Sequence, residues 1–310
     1  MQTAELIRVA LFVFAVLAVY GFAAWSLVLA ARKKALSKPR KVVIALAGIG
    51  TLCVVYGFLV EPYWLETTHV AVSSKRLVKP LRIAHLSDIH CDEKPRLEES
   101  LPDKVAAEKP DLIVFTGDSA NEKAGIPNLR RLLSRLAAIA PTFVVRGNWD
   151  VGGHKLGWQD DREIDARRDM FDGTGVRVLD GEAASLRSDV WVAGISVFRH
   201  DLIAPTLARV PKDACTVFLC HWPDEIEEVA QLGADLYLAG HTHGGQVALP
   251  FYGALVTFSR YGKRYEAGLY QVGETALYVN RGIGMDGLGA PRVRFCARPE
   301  LAIIEVRPRK

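Results

Sequence analysis

The sequence predicts an α/β domain of mixed β-sheets flanked by helices, preceded by two transmembrane helices. Three observations support this prediction: two long charge-free segments near the N-terminus, short apolar runs that alternate with amphipathic stretches from about residue 81, and polar residues that follow several of those runs. The chain has 310 residues, of which 50% are hydrophobic and 24% are charged. This composition excludes an intrinsically disordered or low-complexity chain.

The two charge-free segments cover residues 9–31 and 42–60. At 1.5 Å per residue the first is long enough to cross the roughly 30 Å hydrocarbon core of a bilayer with some tilt. A buried core helix accounts poorly for two such segments in succession. A cleaved signal peptide also fits poorly, because its apolar region is about 7–15 residues long. We therefore divide the chain into a membrane anchor, residues 1–60, and one larger domain, residues 61–310.

The basic residues are unevenly distributed. The net charge is +4 for the whole chain, +6 for residues 1–60 and −2 for residues 61–310. Six cations lie in the basic loop, residues 32–41, and the positive-inside rule places this loop in the cytoplasm. The domain is then expected on the other face of a bacterial-type cytoplasmic (inner) membrane, although a helical hairpin can insert against the rule, so the side stays open. A slightly acidic domain without a basic stripe gives little support to nucleic acid as a partner, and we expect none.

The larger domain alternates between apolar runs and amphipathic stretches, which is typical of α/β layering. Buried strands are predicted at residues 81–86, 112–115, 142–145, 190–195, 216–219 and 236–238. Helices are predicted at residues 97–108, 128–138, 162–171 and 223–232. After Gly245 the chain is punctuated by glycine and rich in Tyr and Val, which predicts further strands at residues 268–272, 276–279 and 301–306.

Polar residues follow five of the predicted strands. Because the carboxyl ends of strands in an open α/β sheet converge on one crevice, side chains from these separate segments can meet there. Residues two apart on an extended segment point to the same side, so Asp88 is expected beside His90, and His241 beside His243. Such oxygen and nitrogen ligands suit divalent first-row metals. The candidate metal ligands are Asp88, His90, Asp118, Asn148, His221, His241 and His243.

The ordered pattern D-x-H, G-D, G-N, H and G-H-x-H resembles that of the calcineurin-like metallophosphoesterase superfamily, over about residues 81–306. Two less specific segments, residues 278–284 and 291–300, resemble its membrane-associated branch, which includes UDP-2,3-diacylglucosamine pyrophosphatases. The resemblance implies a four-layer fold with two central β-sheets between helices. It also implies two divalent metal ions, Mn, Fe, Zn or Mg. One would be held by Asp88, His90, Asp118 and His243, and the other by Asp118, Asn148, His221 and His241.

Asp118 is the bridging ligand in this assignment, and catalytic roles fall to Asp118, Asn148 and His241. Two cations that share a carboxylate acidify a bound water and stabilise charge on the entering and leaving oxygens. The resemblance thus implies an enzyme that hydrolyses a phosphate ester or pyrophosphate. The favoured substrate is UDP-2,3-diacylglucosamine, cleaved to UMP and the lipid 1-phosphate in lipid A biosynthesis.

Trp149 departs from the family pattern, in which the corresponding residue is a His that serves as the acid for the leaving oxygen. An indole N–H donates a hydrogen bond but is no practical proton source. A phosphate leaving group, whose second pKa is about 6, needs such an acid less than an alkoxide does. The departure favours a pyrophosphate or another diester with a good leaving group. The alternative is that Trp149 only packs and that another group, such as His154 or His200, donates the proton.

The substrate-binding residues are less well defined by the sequence. Arg281 and Arg292 are predicted to bind phosphate, with an ordinary surface or ion-paired role as the alternative for each. The membrane anchor favours a lipid-linked substrate, and residues 248–256 are apolar enough either to line an acyl groove or to form a core strand. Two other functions stay open: a general phosphodiesterase or lipid phosphatase, and a catalytically silent membrane scaffold.

Overall fold

Two six-stranded β-sheets pack face to face at the centre of the domain in this computed structural model, which describes residues 3–32, 35–151, 170–286 and 292–309. The first sheet contains, in spatial order, β1 (Glu66–Ser74), β14 (Glu300–Pro308), β2 (Leu81–Leu86), β3 (Leu112–Thr116), β4 (Thr142–Val145) and β5 (Arg177–Val178). The second contains β12 (Gly268–Val272), β13 (Thr275–Val279), β9 (Leu236–Ala239), β8 (Cys215–Leu219), β7 (Val190–Gly194) and β6 (Glu182–Arg187). Neighbouring strands are parallel except for the β14–β2, β12–β13 and β6–β7 pairs.

Helices cover the outer face of each sheet. The first sheet packs against α3 (Leu101–Ala107) and α4 (Ile126–Ala137), and the second against α5 (Ile203–Leu207) and α6 (Ile226–Gln231). A third apolar cluster fills the space between the two sheets. The order of layers is therefore helices, sheet, sheet, helices, which confirms the predicted four-layer α/β fold.

The helix predictions need correction at their ends. Helix α3 begins at Leu101 rather than at residue 97, with Pro102 in its first turn, where a missing N–H costs little. The helix predicted at residues 223–232 is a 3₁₀ turn, Pro223–Glu225, followed by α6. The helix predicted at 162–171 lies outside the described residues except for its last two.

Strand β1 was missed by the sequence analysis. Its side chains alternate between half-buried and exposed, and it pairs in parallel with β14 along its full length. Strands β5 and β6 were also missed. Strand β1 begins shortly after the second apolar helix, and it therefore connects that helix directly to the first sheet.

Two long apolar helices precede the domain, α1 (Thr3–Ala31) and α2 (Lys38–Leu59). Both are long and apolar enough to cross a membrane, and both extend beyond the charge-free segments into flanking polar residues. The helices contact each other, and the Tyr20 hydroxyl lies 3.1 Å from Thr51 Oγ1 between them. Most of their large apolar side chains are exposed, and a helix that is apolar on every side is typical of a buried helix or a membrane span.

Two buried carboxylates attach this helix pair to the domain. Glu5, at the start of α1, accepts hydrogen bonds from the backbone N–H and the hydroxyl of Thr257 at 2.9 and 3.1 Å. Glu61, just after α2, accepts from the backbone N–H groups of Cys296 and Ala297 at 3.0 and 2.6 Å. The N-terminal end of α1 and the C-terminal end of α2 therefore contact the domain. The basic loop, which joins the two helices, lies at the opposite end of the helix pair.

Candidate metal centre

Five strand ends from both sheets bring the seven predicted ligands together. The ligands follow β2, β3 and β4 in the first sheet and β8 and β9 in the second. They form two groups, and within each group the ligand atoms lie within 4.8 Å of one another. The first group is Asp88, His90 and His243, and the second is Asp118, His221 and His241. This division agrees with the two ligand sets that the family resemblance implies, apart from Asn148, which is described below.

In the first group the ring nitrogens and the carboxylate converge on one point. His90 Nε2 lies 3.3 Å from His243 Nε2, which in turn lies 3.2 Å from Asp88 Oδ1. Asp88 and His90 are fully buried. Two buried imidazole nitrogens and a carboxylate oxygen that face one another are a donor set that a divalent cation satisfies.

Asp118 lies between the two groups. Its Oδ2 is 3.1 Å from His221 Nε2 and 3.8 Å from His90 Nε2. His221 Nε2 is buried with carboxylate oxygens of Asp118 and Asp88 within 4 Å of it, and a divalent cation satisfies an imidazole nitrogen that faces carboxylates. The residues present therefore fit two cations that share Asp118.

Hydrogen bonds to backbone and amide oxygens fix the orientation of two ligand imidazoles. His221 Nδ1 donates to the carbonyl of Thr116 at 2.5 Å, and His90 Nδ1 donates to Asn121 Oδ1 at 2.9 Å. The Asn121 amide nitrogen donates to the His90 carbonyl, so its oxygen is the acceptor facing the ring. With Nδ1 engaged in these hydrogen bonds, each imidazole directs its Nε2 towards the candidate metal positions. Sequence analysis missed Asn121, which follows the Gly-Asp segment by three residues.

Asn148 is held by a residue that sequence analysis also missed. The indole N–H of Trp222 donates to Asn148 Oδ1 at 2.9 Å. The Trp222 ring packs edge-on against Phe198, with centroids 4.8 Å apart, and lies 5.7 Å from the ring of His241. The only signal in the sequence was that Trp222 directly follows the ligand His221. Trp222 thus positions Asn148 and contacts the second group.

Replacing Trp222 by Phe should lower kcat for phosphodiester hydrolysis about tenfold. The ring packing is retained, while the hydrogen bond to Asn148 Oδ1 is lost, and one hydrogen bond is worth about 1 kcal/mol. Steady-state kinetics at fixed metal concentration measures this. Trp191→Phe, at the second residue of β7, is the matched control, and an equal loss in both variants would contradict a role for the indole N–H.

Five ligands have left-handed backbone conformations. The φ angles are 49° at Asp88, 47° at His90, 56° at Asp118, 74° at His241 and 52° at His243. Non-glycine residues adopt this region rarely, and residues held there concentrate at functional sites. The fold therefore holds these side chains in strained positions at the centre.

Glycines next to the ligands allow close approach of neighbouring segments. A Cβ atom at position 147 would lie 2.2 Å from Asp118 Oδ1, and one at position 240 would lie 2.2 Å from Asp88 Oδ2. These are the glycines of the G-N and G-H-x-H motifs. Each is required because another segment's metal ligand occupies the space of its missing side chain.

Burial and the facing carboxylates set the charge of the centre. Burial lowers the pKa of His90 to about 4 and that of His241 to about 3, against the opposing effect of Asp118. Burial acts the same way on His221, but the carboxylates of Asp118 and Asp88 outweigh it and raise its pKa to about 9. The neighbouring histidines outweigh burial at both carboxyls and hold their pKa values below the usual range. Two ionised carboxylates at neutral pH attract divalent cations.

The Trp149 segment differs from the family pattern in its side chain, and its backbone contacts Asp118. The Trp149 ring lies edge-on to His90 at 5.6 Å, and its backbone N–H donates to Asp118 Oδ1 at 2.9 Å. Asp150 accepts from the backbone N–H groups of Gly147, Asp118 and Ser119 at 2.8 to 3.0 Å. Burial, together with Asp118, raises the pKa of Asp150 to about 6. Asp150 therefore joins the G-D and G-N loops through hydrogen bonds.

His154 and His200 were the two residues considered as proton donors in place of the missing His. His154 lies outside the described residues. His200 is half-exposed, and its Nδ1 lies 2.9 Å from Glu225 Oε1. Its ring lies 6.4 Å from that of Trp222, so it contacts the residue that holds Asn148 rather than a metal ligand.

The candidate phosphate-binding arginines are both ion-paired. Arg281 Nη2 lies 2.8 Å from Glu66 and 3.1 Å from Glu300, and Arg292 Nη1 lies 2.6 Å from Asp92. This is the alternative role considered for each from the sequence. Substrate binding by either arginine stays a prediction, which these contacts do not favour.

Residues 248–256 form a hairpin and a cavity wall beside the metal centre. Ala248–Leu249 (β10) pairs with Gly253–Ala254 (β11), and Leu255 and Val256 line a cavity that also contains Asp118. The structure therefore places part of this segment where the sequence analysis considered an acyl groove.

Comparisons with known proteins agree with the site. The family described as calcineurin-like phosphoesterase matches residues 81–245. An uncharacterized metallophosphoesterase of Bacillus subtilis, YkuE, is 32% identical over 270 residues, covering 81% of this chain and 89% of the relative. Phosphodiesterase YaeI of Escherichia coli is 31% identical, covering 79% of this chain and 90% of the relative.

A more distant relative carries the activity that the sequence analysis favoured. UDP-2,3-diacylglucosamine pyrophosphatase LpxG of Chlamydia trachomatis is 25% identical, covering 72% of this chain and 83% of the relative. The family match covers more than half of the chain and includes all seven candidate ligands. The chain belongs to the calcineurin-like phosphoesterase family, and it is a metal-dependent phosphoester hydrolase.

Proposed function

We propose that the chain is a membrane-anchored hydrolase of a lipid-linked phosphate ester or pyrophosphate, with UDP-2,3-diacylglucosamine as its substrate. The observation that carries this proposal is the attachment of the metal centre to two membrane-length helices. Glu5 and Glu61 bind the helix pair to the domain through buried hydrogen bonds. An active site fixed at a membrane surface suits a substrate that does not leave the membrane.

If two divalent cations are bound by these residues, they would supply a nucleophile from water at neutral pH and neutralise charge on the phosphoryl oxygens. Asp118 would bridge them, with Asp88, His90 and His243 on one side and Asn148, His221 and His241 on the other. Trp222 orients Asn148, and Asn121 orients His90. Trp149 offers no acid for the leaving group, which favours departure of a phosphate anion, here UMP or the lipid phosphate.

A second candidate is an extracytoplasmic phosphodiesterase that acts on another lipid phosphate. The basic loop and the domain lie at opposite ends of the helix pair, so the positive-inside rule favours a domain outside the cytoplasm. UDP-lipids of this kind are made inside. A C-terminal reporter fusion that is active in one compartment alone decides the side, and an extracytoplasmic result would rule out the UDP-lipid while leaving this second candidate.

A substrate panel tests the proposal on the full chain in detergent with added Mn²⁺ or Zn²⁺. We expect kcat/KM for UDP-2,3-diacylglucosamine to exceed that for bis-p-nitrophenyl phosphate and for p-nitrophenyl phosphate by at least about 100-fold, because the lipid substrate adds binding that the small esters lack. Turnover of the small diester without turnover of the lipid would support the second candidate. Hydrolysis of neither the lipid nor the small diester by a chain loaded with two metal ions would contradict both candidates.

A further inference from the structure

We propose that a cavity between α1 and the metal centre binds a hydrocarbon chain of the lipid substrate, so that the first apolar helix is itself a wall of the active site. This inference rests on the proposed function and adds to it the place where the lipid binds. It also gives α1 a part in substrate binding in addition to anchoring.

The cavity has a volume of about 520 Å³ and joins two chemically different regions. One set of lining residues comprises metal-ligand candidates, including Asp118, Asn148 and His241, together with the polar residues Gln246 and Asp286. The other set is apolar and includes Val9 and Phe12 of α1. A ligand with a phosphate at the first region therefore has its remaining part beside a membrane helix.

The wall that faces α1 is also apolar. It is formed by domain residues that include Leu255, Val256, Phe258 and Val293. A cavity of this size lies within the roughly 300–1,000 Å³ range of ligand pockets, which are lined mainly by apolar side chains with a few polar groups. Burial of hydrocarbon gains about 0.8 kcal/mol per CH₂, whereas a uridine or a sugar would leave its polar groups unpaired along such walls. The lining therefore selects an alkyl chain.

The depth of the cavity fits a lipid in a bilayer. Helix α1 has 29 residues, about 43 Å at 1.5 Å per residue, and exceeds the roughly 30 Å hydrocarbon core. Glu5 is attached to the domain, and the charge-free segment begins at Val9. The wall at Val9 and Phe12 therefore lies at the boundary between hydrocarbon and headgroups, which is the level of lipid phosphates.

Contacts on both helices fix the cavity in place. The Glu5 hydrogen bonds to Thr257 hold α1 next to the segment that contains Val256 and Phe258. On α2, the Gly57 carbonyl accepts from the Arg294 backbone N–H at 3.0 Å, adjacent to Val293. Both walls are therefore attached to the helix pair, and the cavity is formed before a ligand binds.

The test is inhibition of bis-p-nitrophenyl phosphate hydrolysis by alkyl phosphates of increasing length, with the full chain at fixed detergent concentration. Methyl, octyl and hexadecyl phosphate carry the same headgroup and differ only in the chain. We expect the inhibition constant of hexadecyl phosphate to lie at least about 100-fold below that of methyl phosphate, because each buried methylene strengthens binding up to about fourfold.

Two variants fill the cavity from opposite walls, Val9→Trp from α1 and Val256→Trp from the domain. In each, the ratio of the hexadecyl to the methyl inhibition constant should rise at least tenfold. The matched control is Phe14→Trp on α1, where the native side chain is 72% exposed and points away from the cavity. Its ratio should equal that of the wild type, which corrects for partition of the inhibitor into detergent.

Inhibition that does not depend on chain length in the wild type would overturn the proposal, even if both Trp variants failed to fold. Equal ratios in the cavity variants and the control would overturn it as well. The result of this inhibition test is independent of the result of the substrate panel. Chain-length dependence without turnover of UDP-2,3-diacylglucosamine would reject that substrate and keep the lipid site, whereas turnover of the UDP-lipid without chain-length dependence would reject the site alone.

Discussion

Replacement of Asp118 by Asn should lower phosphodiester hydrolysis by at least about 1,000-fold. Asp118 Oδ2 lies within 4 Å of imidazole nitrogens from both ligand groups, so this one side chain serves both cations. Asn has nearly the same shape but no charge, and it cannot bridge two cations as a carboxylate does. A loss of several kcal/mol of charge stabilisation corresponds to this factor, since each 1.36 kcal/mol is tenfold in rate.

The measurement is kcat for bis-p-nitrophenyl phosphate together with the metal content per chain. Asp103→Asn is the matched control, because Asp103 lies in the first turn of α3 with a side chain 81% exposed. The control should retain wild-type activity and metal content. If Asp118→Asn kept more than a tenth of the activity, or bound two metals as tightly as the wild type, the bridging role would be wrong.

Gly147→Ala should destabilise the fold by about 3 kcal/mol or more and abolish metal binding. The added Cβ would lie 2.2 Å from Asp118 Oδ1 and 2.5 Å from the Asp118 backbone nitrogen, and a backbone atom cannot move aside as a side-chain end can. Overpacking of this kind ranks among the largest effects of single substitutions. The variant should show a lower midpoint in thermal unfolding and no hydrolysis.

Gly273→Ala is a reference variant that adds a Cβ atom without a steric clash. Gly273 lies between β12 and β13 with φ 58° and open space where a Cβ would be. The substitution therefore carries only the cost of a left-handed alanine, about 1–2 kcal/mol. Gly147 is not among the left-handed glycines, so its alanine variant lacks this cost, and an unfolding midpoint at or above that of Gly273→Ala would contradict the destabilisation of about 3 kcal/mol expected from crowding.

The sequence was sufficient to predict the fold class and to select the candidate ligands that the structure brings together, because both depend on local patterns. Buried runs such as residues 112–115 read directly as strands, and motif spacing identified Asp88, Asp118 and His243. Their convergence followed from a general property of parallel strands, whose carboxyl ends share one edge.

Contacts between segments that are distant in the sequence could not be predicted from it. Arg281 pairs with Glu66 although 215 positions separate them, so nothing near either residue indicates an ion pair. The Trp222 contact with Asn148 likewise depends on how two sheets pack. Strand β1 was missed because its half-buried edge position requires few apolar residues, and polar residues stand on both sides of Val70-Ala71-Val72, which resembles a loop.

The attachment of both helices to the domain has a consequence for how the reaction must be quantified. With Glu5 and Glu61 fixed to the same domain, the catalytic centre of a membrane-inserted chain can neither tumble nor swing away from the surface. Under the proposed function, encounters with a lipid substrate would occur by lateral diffusion in two dimensions. The relevant substrate variable would then be the mole fraction of lipid in the membrane, so dilution with inert lipid should lower the rate while dilution with buffer should not.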